Sequence, residues 1–215
     1  MNTRMKRKKK EKQNAIVKAA EKIIAEYGME KMTMDQVAAE ADVAKGTIYL
    51  YFKNKGSLLA AVNAELNKEA NEYMKERMDL CSGGSEKVRA MGQATVEFFM
   101  RNPQKWKAIT ELYQMKVHDP EDPHVQEFLQ VTNEMVHMMA DAYRQGIKEG
   151  TIREDLDPVT TAIYNRMAWG NAFTPTTEQK MLLKWNKISQ ERYLTVASGL
   201  IVRSTHKVLP EDLKE

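Results

Sequence analysis

Apolar residues recur at intervals of three and four along most of the chain, which is the spacing of one face of an α-helix. The first such run covers residues 13–27 and places Ile16, Ala20 and Ile24 on one stripe. Gly28 follows and can end this helix in a left-handed conformation. No stretch alternates apolar and polar residues as a half-buried strand would, and the chain has only 10 glycines and 6 prolines. The pattern predicts an all-α protein of about nine helices.

Two further helices are predicted close together after this first one. Thr33 and Gln36 have the spacing of a capping box, in which each side chain accepts a hydrogen bond from the other residue's backbone N–H. The chain turns at residues 42–43, and a short helix follows over about residues 45–51. A fourth helix begins near Lys55. Two helices joined in this way are typical of a helix-turn-helix, whose second helix lies in the major groove of DNA.

The short third helix is therefore predicted to contact DNA. Lys45 can donate to guanine O6 and N7, Thr47 can contact a base or a phosphate, and Gly46 leaves space for a close approach of the backbone. Tyr49, Tyr51 and Lys55 are better placed for phosphates, although Tyr49 could instead pack in the core of a three-helix unit. The predicted DNA-binding residues are Thr33, Ala44, Lys45, Gly46, Thr47, Tyr49, Tyr51 and Lys55.

Positive charge is concentrated at the N-terminal end. The sequence has 33 Lys+Arg against 30 Asp+Glu, but residues 1–55 contain 13 basic and 7 acidic side chains, a net charge of +6. Seven of these basic residues lie within residues 1–12, which lack apolar periodicity and are predicted to form a disordered arm. Two roles are open for this arm. It folds along DNA in or beside the minor groove, or it stays solvated and adds only non-specific attraction.

The remaining helices are predicted to begin near residues 85, 103, 123, 158 and 177, and the last is expected to run to about residue 204. The fifth to eighth should surround a cavity for an apolar or amphipathic ligand, because the 15 methionines suit an adaptable apolar surface. The alternative is that the same side chains simply form the core. The predicted ligand-binding residues are Met91, Phe98, Trp106, Tyr113, Met135, Met139, Tyr143 and Trp169.

The eighth and last predicted helices carry apolar faces that one small bundle cannot bury. A homodimer interface is expected there, in which Gly199 allows close helix approach and Trp185 and Leu200 supply buried area. In a dimer the two third helices, one from each subunit, would lie about 34–36 Å apart. Together they would recognise a DNA sequence more specifically than one short helix can. The alternative is packing within one chain. The predicted interface residues are Ile163, Trp185, Val196, Gly199 and Leu200.

Several classes of protein are disfavoured by composition. No apolar run approaches the ~20 residues of a membrane-spanning helix, and the basic N-terminus lacks the apolar stretch of a signal peptide. The single cysteine, Cys81, excludes an internal disulfide framework and fits a reducing cytoplasm. A cytoplasmic, nucleoid-associated protein of a bacterium or archaeon is expected.

Signals for catalysis or metal binding are weak. The sequence has no Ser/His/Asp order, phosphate-binding loop or HExxH motif, so an all-α enzyme is a remote alternative and no cofactor is expected. His118, Asp119, Asp122 and His124 lie close together and could bind a metal. Loop acids beside a histidine are usually solvated, however, and no metal site is predicted.

The helix-turn-helix region resembles the DNA-binding domain of the TetR family of bacterial transcriptional regulators. The resemblance rests on Ala19-Ala20, Gly28, Thr33, Val37-Ala38, Ala41, Lys45-Gly46-Thr47-Ile48-Tyr49, Tyr51-Phe52, Lys55 and Leu58-Leu59. Ala44 departs from the pattern, because the family often has a serine there that caps the third helix. Gly56-Ser57 replaces a common acidic pair at the start of the fourth helix. Neither departure changes the assignment.

The resemblance implies a homodimer that represses transcription and leaves a palindromic operator, a site on double-stranded DNA, when a small molecule binds. It divides the chain into a DNA-binding domain over residues 13–56 and a ligand-binding and dimerisation domain over residues 57–215. The Met-rich and aromatic interior indicates an apolar or aromatic effector. The alternative is a DNA-binding regulator without a small-molecule effector, constitutive or controlled by a partner.

Overall fold

The computed structural model describes the backbone of residues 3–113, 119–173 and 175–207. Within these ranges it contains ten helices and no strand longer than a single bridge, so the all-α prediction is confirmed. None of these helices is long and apolar enough to cross a membrane. The helices are α1 (Thr3–Tyr27), α2 (Met34–Glu40), α3 (Lys45–Tyr49), α4 (Lys55–Met78), α5 (Gly84–Arg101), α6 (Pro103–Tyr113), α7 (Pro123–Lys148), α8 (Pro158–Phe173), α9 (Thr177–Trp185) and α10 (Gln190–Thr205).

The N-terminal segment is helical, so the prediction of a disordered arm over residues 1–12 was wrong from Thr3 onward. Lysine and arginine are good helix formers, and no glycine or proline interrupts α1. The Arg7 guanidinium Nε also lies 3.3 Å from the Glu11 carboxylate one turn later. Because this segment extends a helix whose later turns are packed, it avoids the unfavourable step of nucleating a new one.

The single last helix predicted over residues 177–204 is in fact two helices, α9 and α10. Asn186 ends α9, and Lys187 has a φ of +54°, which a right-handed helix cannot continue. Ser189 then opens α10 by accepting a hydrogen bond from the Arg192 backbone N–H at 3.1 Å. The apolar periodicity continues across this break, which is why the sequence pattern did not reveal it.

The chain forms two compact units. The first contains residues 1–69 and 102–132, and the second contains residues 70–101 and 133–215. This division differs from the domain boundary predicted between residues 56 and 57, because α4 and α7 are continuous helices that each contribute to both units.

In the first unit, α1 packs on α2 and α6, and α2 packs on α3. Its core includes the fully buried side chains of Ile24, Ile48 and Phe52, each of which stabilises the fold by about 1.5–3 kcal/mol. The capping box at α2 is present as predicted. The Thr33 backbone N–H donates to Gln36 Oε1 at 2.8 Å, and the Gln36 backbone N–H donates to Thr33 Oγ1 at 3.2 Å.

In the second unit, α10 packs on α8 and α5. α5 starts against α7 at a point where only glycine fits, because a Cβ on Gly84 would lie 2.1 Å from the backbone N of Gly146. The segment before α8 joins the end of α10 through a short antiparallel bridge. The Arg153 backbone N–H donates to the Thr205 carbonyl at 3.1 Å, and the Lys207 backbone N–H donates to the Thr151 carbonyl at 2.9 Å.

Candidate nucleic-acid interface

The third helix is five residues long and presents most of its side chains to solvent. Ile48 is fully buried and anchors its inner face, while Lys45, Gly46 and Tyr49 are exposed and Thr47 is half-buried. Tyr49 is 48% exposed, so it does not occupy the core position that was considered for it. α3 is therefore a short helix whose solvent-facing side is accessible to a ligand.

Lys45 has a carboxylate partner on the preceding helix. Its Nζ lies 2.9 Å from the Asp35 carboxylate, and this hydrogen bond raises the pKa of Lys45. Both side chains are more than half exposed, so water screens the pair and Lys45 can exchange Asp35 for another acceptor. Asp35 was not among the predicted residues, because nothing in the sequence pattern shows which acid would face Lys45.

The N-termini of α2 and α3 differ in capping. Thr33 is exposed, but its hydroxyl oxygen is already engaged in the α2 capping box. Ala44 begins α3 without a side-chain hydrogen bond, as its lack of a polar side chain requires. The weak cap leaves the first turn of α3 dependent on the packing of Ile48.

Lys55 and Tyr51, both predicted to contact phosphates, have different surroundings. Lys55 Nζ donates to the backbone carbonyls of Met32 at 2.6 Å and Glu30 at 3.2 Å, so it braces the α1–α2 connection. Tyr51 is half-buried, and Lys9 Nζ lies 6.0 Å from the centroid of its ring, within cation–π range. The structure thus places a basic residue of the N-terminal segment beside the residues that follow α3.

The first turn of α7 and the loop before it contact the segment that follows α3. His124 Nε2 lies 3.2 Å from the Tyr51 carbonyl oxygen, and its ring centroid lies 4.8 Å from that of Phe52. Lys53 Nζ forms an ion pair with Asp119 at 2.9 Å, and this hydrogen bond lowers the pKa of the Asp119 carboxyl. Phe52 is fully buried.

A buried hydrogen bond adds to this contact. Ser57 Oγ, in the first turn of α4, donates to Asp122 Oδ1 at 3.2 Å, and both residues are buried. The same carboxylate oxygen accepts the His124 backbone N–H at 2.8 Å and so caps α7. We call the set Tyr51, Phe52, Lys53, Ser57, Asp119, Asp122 and His124 the reader–α7 latch.

The latch also accounts for three of the four residues considered as metal ligands. Asp119 contacts Lys53, Asp122 contacts Ser57 and His124 contacts the Tyr51 carbonyl, and His118 lies outside the described residues. No group of histidine, cysteine and acidic side chains suited to a metal occurs in the part of the chain that the structure describes.

The predicted ligand-binding residues that the structure describes are all buried. Met91, Phe98, Met135, Met139, Tyr143 and Trp169 lie in the second unit and Trp106 in the first, while the Tyr113 side chain lies outside the described residues. A core and the wall of a pocket are both buried, so their role in ligand binding stays a prediction.

A polar pair lies within this apolar interior. Asn165 Nδ2 donates a hydrogen bond to the Tyr143 hydroxyl, and both side chains are buried. Burial raises the pKa of Tyr143 to about 12, so this hydroxyl stays neutral. Asn165 was not predicted, since one amide in an apolar helix carries no distinguishing pattern.

The predicted interface residues are largely exposed. Leu200 is 62% and Trp185 is 69% exposed, and Ile163 and Val196 are also exposed. Gly199 is half-buried, and a Cβ there would meet no atom within 4 Å. These residues are therefore not packed in the core of one chain.

Comparison with known proteins places these features in a family. The family model described as "Bacterial regulatory proteins, tetR family" matches residues 16–62. The HTH-type transcriptional regulator YhgD of Bacillus subtilis, itself described as uncharacterized, is 31% identical over 153 residues, which are 71% of this chain and 77% of that protein. The chain belongs to the TetR family. The resemblance noted in the sequence is thus confirmed.

Two other similar proteins are named for fatty acids or their thioesters. The fatty acid metabolism regulator protein of Bacillus subtilis is 28% identical over 151 residues, 70% of this chain and 76% of that protein. The crystal structure of FadR from Bacillus subtilis in complex with stearoyl-CoA has a TM-score of 0.65 at 21% identity, covering 87% of this chain and 96% of that one. At that identity the likeness shows the fold alone.

TetR-family membership settles the general function. The family consists of DNA-binding transcription regulators, so this TetR-family chain is such a regulator and not an enzyme.

Proposed function

We propose that the protein is a homodimeric repressor that is released from a palindromic operator by a small apolar or aromatic effector. The observation that carries this proposal is the exposed face of α3, a short helix whose inner face packs on the core through buried Ile48. Lys45, Gly46 and Thr47 lie at its N-terminal end, which is the end that reads base edges in such motifs. The protein acts in the cytoplasm, on the DNA of the nucleoid.

The apolar surface of α8, α9 and α10 supports the dimer. α9 has no buried residue, although Met181, Leu182 and Trp185 all lie on it. With Ile163 on α8 and Leu200 on α10 also exposed, a single chain leaves large apolar side chains in water. Such a patch marks an interaction surface, and a second copy of the chain is the partner that places two reader helices on one duplex.

The interior of the second unit supports an apolar effector. Methionine and aromatic side chains are prominent in it, and a buried polar pair, Tyr143 with Asn165, could orient a polar group of the ligand. The FadR structure named above contains stearoyl-CoA, so an acyl thioester is the first compound to test.

The continuity of α7 supports a route for release. Its first residues belong to the latch, while Met135, Met139 and Tyr143 lie three to five turns further along the same helix. A ligand that shifts α7 would therefore strain the contacts of Asp122 and His124. Release requires that the ligand bind the DNA-free conformation more tightly than the DNA-bound one.

DNA binding can be tested by selecting duplexes from a random library with the purified protein and measuring affinity by fluorescence anisotropy. Lys45→Ala should weaken binding to the selected duplex by about 5- to 150-fold, the equivalent of ~1–3 kcal/mol for one base contact. It should weaken binding to a scrambled duplex much less. Lys148→Ala, at an exposed lysine in the last turn of α7, is the matched control. Equal losses on both duplexes would remove Lys45 from base readout.

The dimer and the effector need separate measurements. Leu200→Glu should convert a dimer to a single chain in sedimentation analysis, and a wild-type protein that is already a single chain would contradict the dimer. Stearoyl-CoA, shorter acyl thioesters and apolar aromatic compounds should be titrated into the protein–DNA complex. Release by one of them supports the effector. If none raises the melting temperature or releases DNA, the regulator without a small-molecule effector becomes the better description.

A further inference from the structure

The first three turns of α1 form a helix that is charged on every side. Residues 4–12 contain seven basic side chains and one acid, Glu11, and all nine residues are exposed. Lys6 with Lys10 and Lys8 with Lys12 place like charges one turn apart, which destabilises a helix. Arg7 is the residue paired with Glu11. A segment of this kind is stabilised when a polyanion neutralises it.

Three of these lysines face one cleft. Lys6, Lys9 and Lys10 line it together with Gln13 and Asn14 of the same helix. We call the three the cleft-face lysines. No ion pair involves any of them within the described residues, and Lys9 contacts the ring of Tyr51.

The acids across the cleft do not neutralise this face. Glu65 and Glu127 line the opposite side, but Lys68 lies between them, with its Nζ 2.7 Å from Glu65 Oε1 and 2.6 Å from Glu127 Oε1. Lys68 balances much of their charge. The cleft-face lysines therefore keep their positive charge available to an external ligand.

The position of Lys9 relates this face to the reader helix. Tyr51 follows α3 directly, and Lys9 Nζ lies 6.0 Å from its ring centroid. Lys9 thus lies close to the end of the helix that is proposed to read DNA. From Lys6 to Gln13 the face is about 10 Å long, which matches roughly three nucleotide steps of a DNA strand at ~3.4 Å each.

We infer that the cleft-face lysines bind the phosphate backbone of the duplex next to the half-site read by α3. This inference rests on the proposed DNA-binding function and adds a second contact to it. The contact is to phosphates, so it lengthens the binding site and raises affinity without reading bases. Double-stranded DNA is the occupant because Lys9 lies beside Tyr51, directly after the helix that is proposed to bind the duplex. An acidic membrane surface is the rival polyanion.

The test uses a variant with Lys6→Gln, Lys9→Gln and Lys10→Gln in the full-length protein. It is compared with wild type on the selected duplex in two lengths, the half-sites alone and the half-sites with about one helical turn, ~10 base pairs, added on each side. Each lost phosphate contact lowers the dependence of log affinity on log salt by ~0.9, so the slope should fall by about 2.7 per subunit on the long duplex. For each subunit on the duplex, the affinity advantage of wild type should shrink ~40-fold between about 50 and 200 mM salt. On the short duplex the two proteins should differ little.

A second variant controls for net charge. Lys8→Gln, Lys12→Gln and Lys18→Gln remove the same charge from other faces of α1, at three exposed positions. This control should keep the wild-type slope on both duplexes. Circular dichroism should show that both variants remain folded, because none of the altered side chains is buried.

The outcomes separate this inference from the proposed function. If wild type selects no duplex, the proposed function fails. If it selects one but the two variants have equal salt slopes on the long duplex, the inference is overturned and the proposed function stands. The inference is also overturned if the cleft-face variant keeps wild-type DNA binding but loses binding to phosphatidylglycerol vesicles, because the partner would then be a membrane surface.

Discussion

Replacing Gly46 by alanine should stabilise the folded protein and weaken its binding to DNA. Gly46 is the second residue of α3, and a Cβ there would meet no atom within 4 Å. Its φ is not among the positive values, which belong to Gly28 and Gly150 among the described glycines. The methyl group therefore adds no strain, while the unfolded chain loses conformational freedom. The expected gain is about 0.5–1 kcal/mol, which raises the melting temperature of a chain of this size by about 1–4 °C.

DNA binding should change in the opposite direction. The new methyl group stands on the outer face of α3 between Lys45 and Thr47, where the backbone is proposed to approach the duplex. Displacing α3 outward lengthens the base contacts of both neighbours, and a loss of at least about tenfold, or 1.4 kcal/mol, is expected. Thermal denaturation and anisotropy on the selected duplex give the two quantities. A stabilised variant with wild-type affinity would show that DNA does not approach Gly46 closely, and a lowered melting temperature would refute the argument from open space.

Three further changes test other parts of the structure. Asp35→Asn removes the carboxylate that pairs with Lys45 in the free protein. In fluorescence anisotropy, binding to random duplexes should tighten several-fold, and discrimination between the selected duplex and random duplexes should fall. Unchanged discrimination would exclude a role for the pair. Asp122→Ala removes the cap of α7, which costs about 1 kcal/mol. It also leaves the buried Ser57 hydroxyl without its acceptor, which costs about 1–3 kcal/mol. In urea unfolding, the free energy of unfolding should therefore fall more than for Ser57→Ala. Equal losses would show that the Asp122 cap contributes nothing to stability beyond the hydrogen bond to Ser57. Burial lowers the pKa of His206 below its ordinary value of 6.5, so as the pH falls through that value the unfolded chain takes up a proton that the folded protein does not. The free energy of unfolding should therefore decrease between about pH 7 and pH 5 in wild type and less so in His206→Gln, and parallel curves would contradict this.

Capping residues and prolines, which act within a single helical turn, correctly predicted where several helices begin. The capping box at Thr33 and Gln36 formed as expected, and α6, α7 and α8 begin at Pro103, Pro123 and Pro158. Proline suits the first turn because the N–H that it lacks has no partner there in any helix. Such signals depend on residues within four positions of each other, so they act largely independently of the tertiary packing.

Two local predictions were wrong for identifiable reasons. The basic segment before Lys12 has no apolar stripe, and periodicity cannot detect a helix that is exposed on every side. It continues the packed part of α1 instead. The break after Trp185 was missed because Lys187 takes a positive φ, and no glycine or proline at this position indicates a break in the sequence. Both cases depend on the helices that flank the position rather than on the residue itself.

The amino-acid sequence alone determined the helical class, the short third helix and the family, because each depends on short-range spacing and on the types of side chain. Which distant residues meet was decided only by the tertiary structure. Lys45 contacts Asp35 across the turn of the helix-turn-helix, Ser57 meets Asp122 across 65 positions, and His124 reaches the Tyr51 carbonyl across 73 positions. Many acids in the sequence could have partnered Lys45 or Ser57. Only the packing of helices against one another selects among them, because it sets the distances on which a hydrogen bond or an ion pair depends.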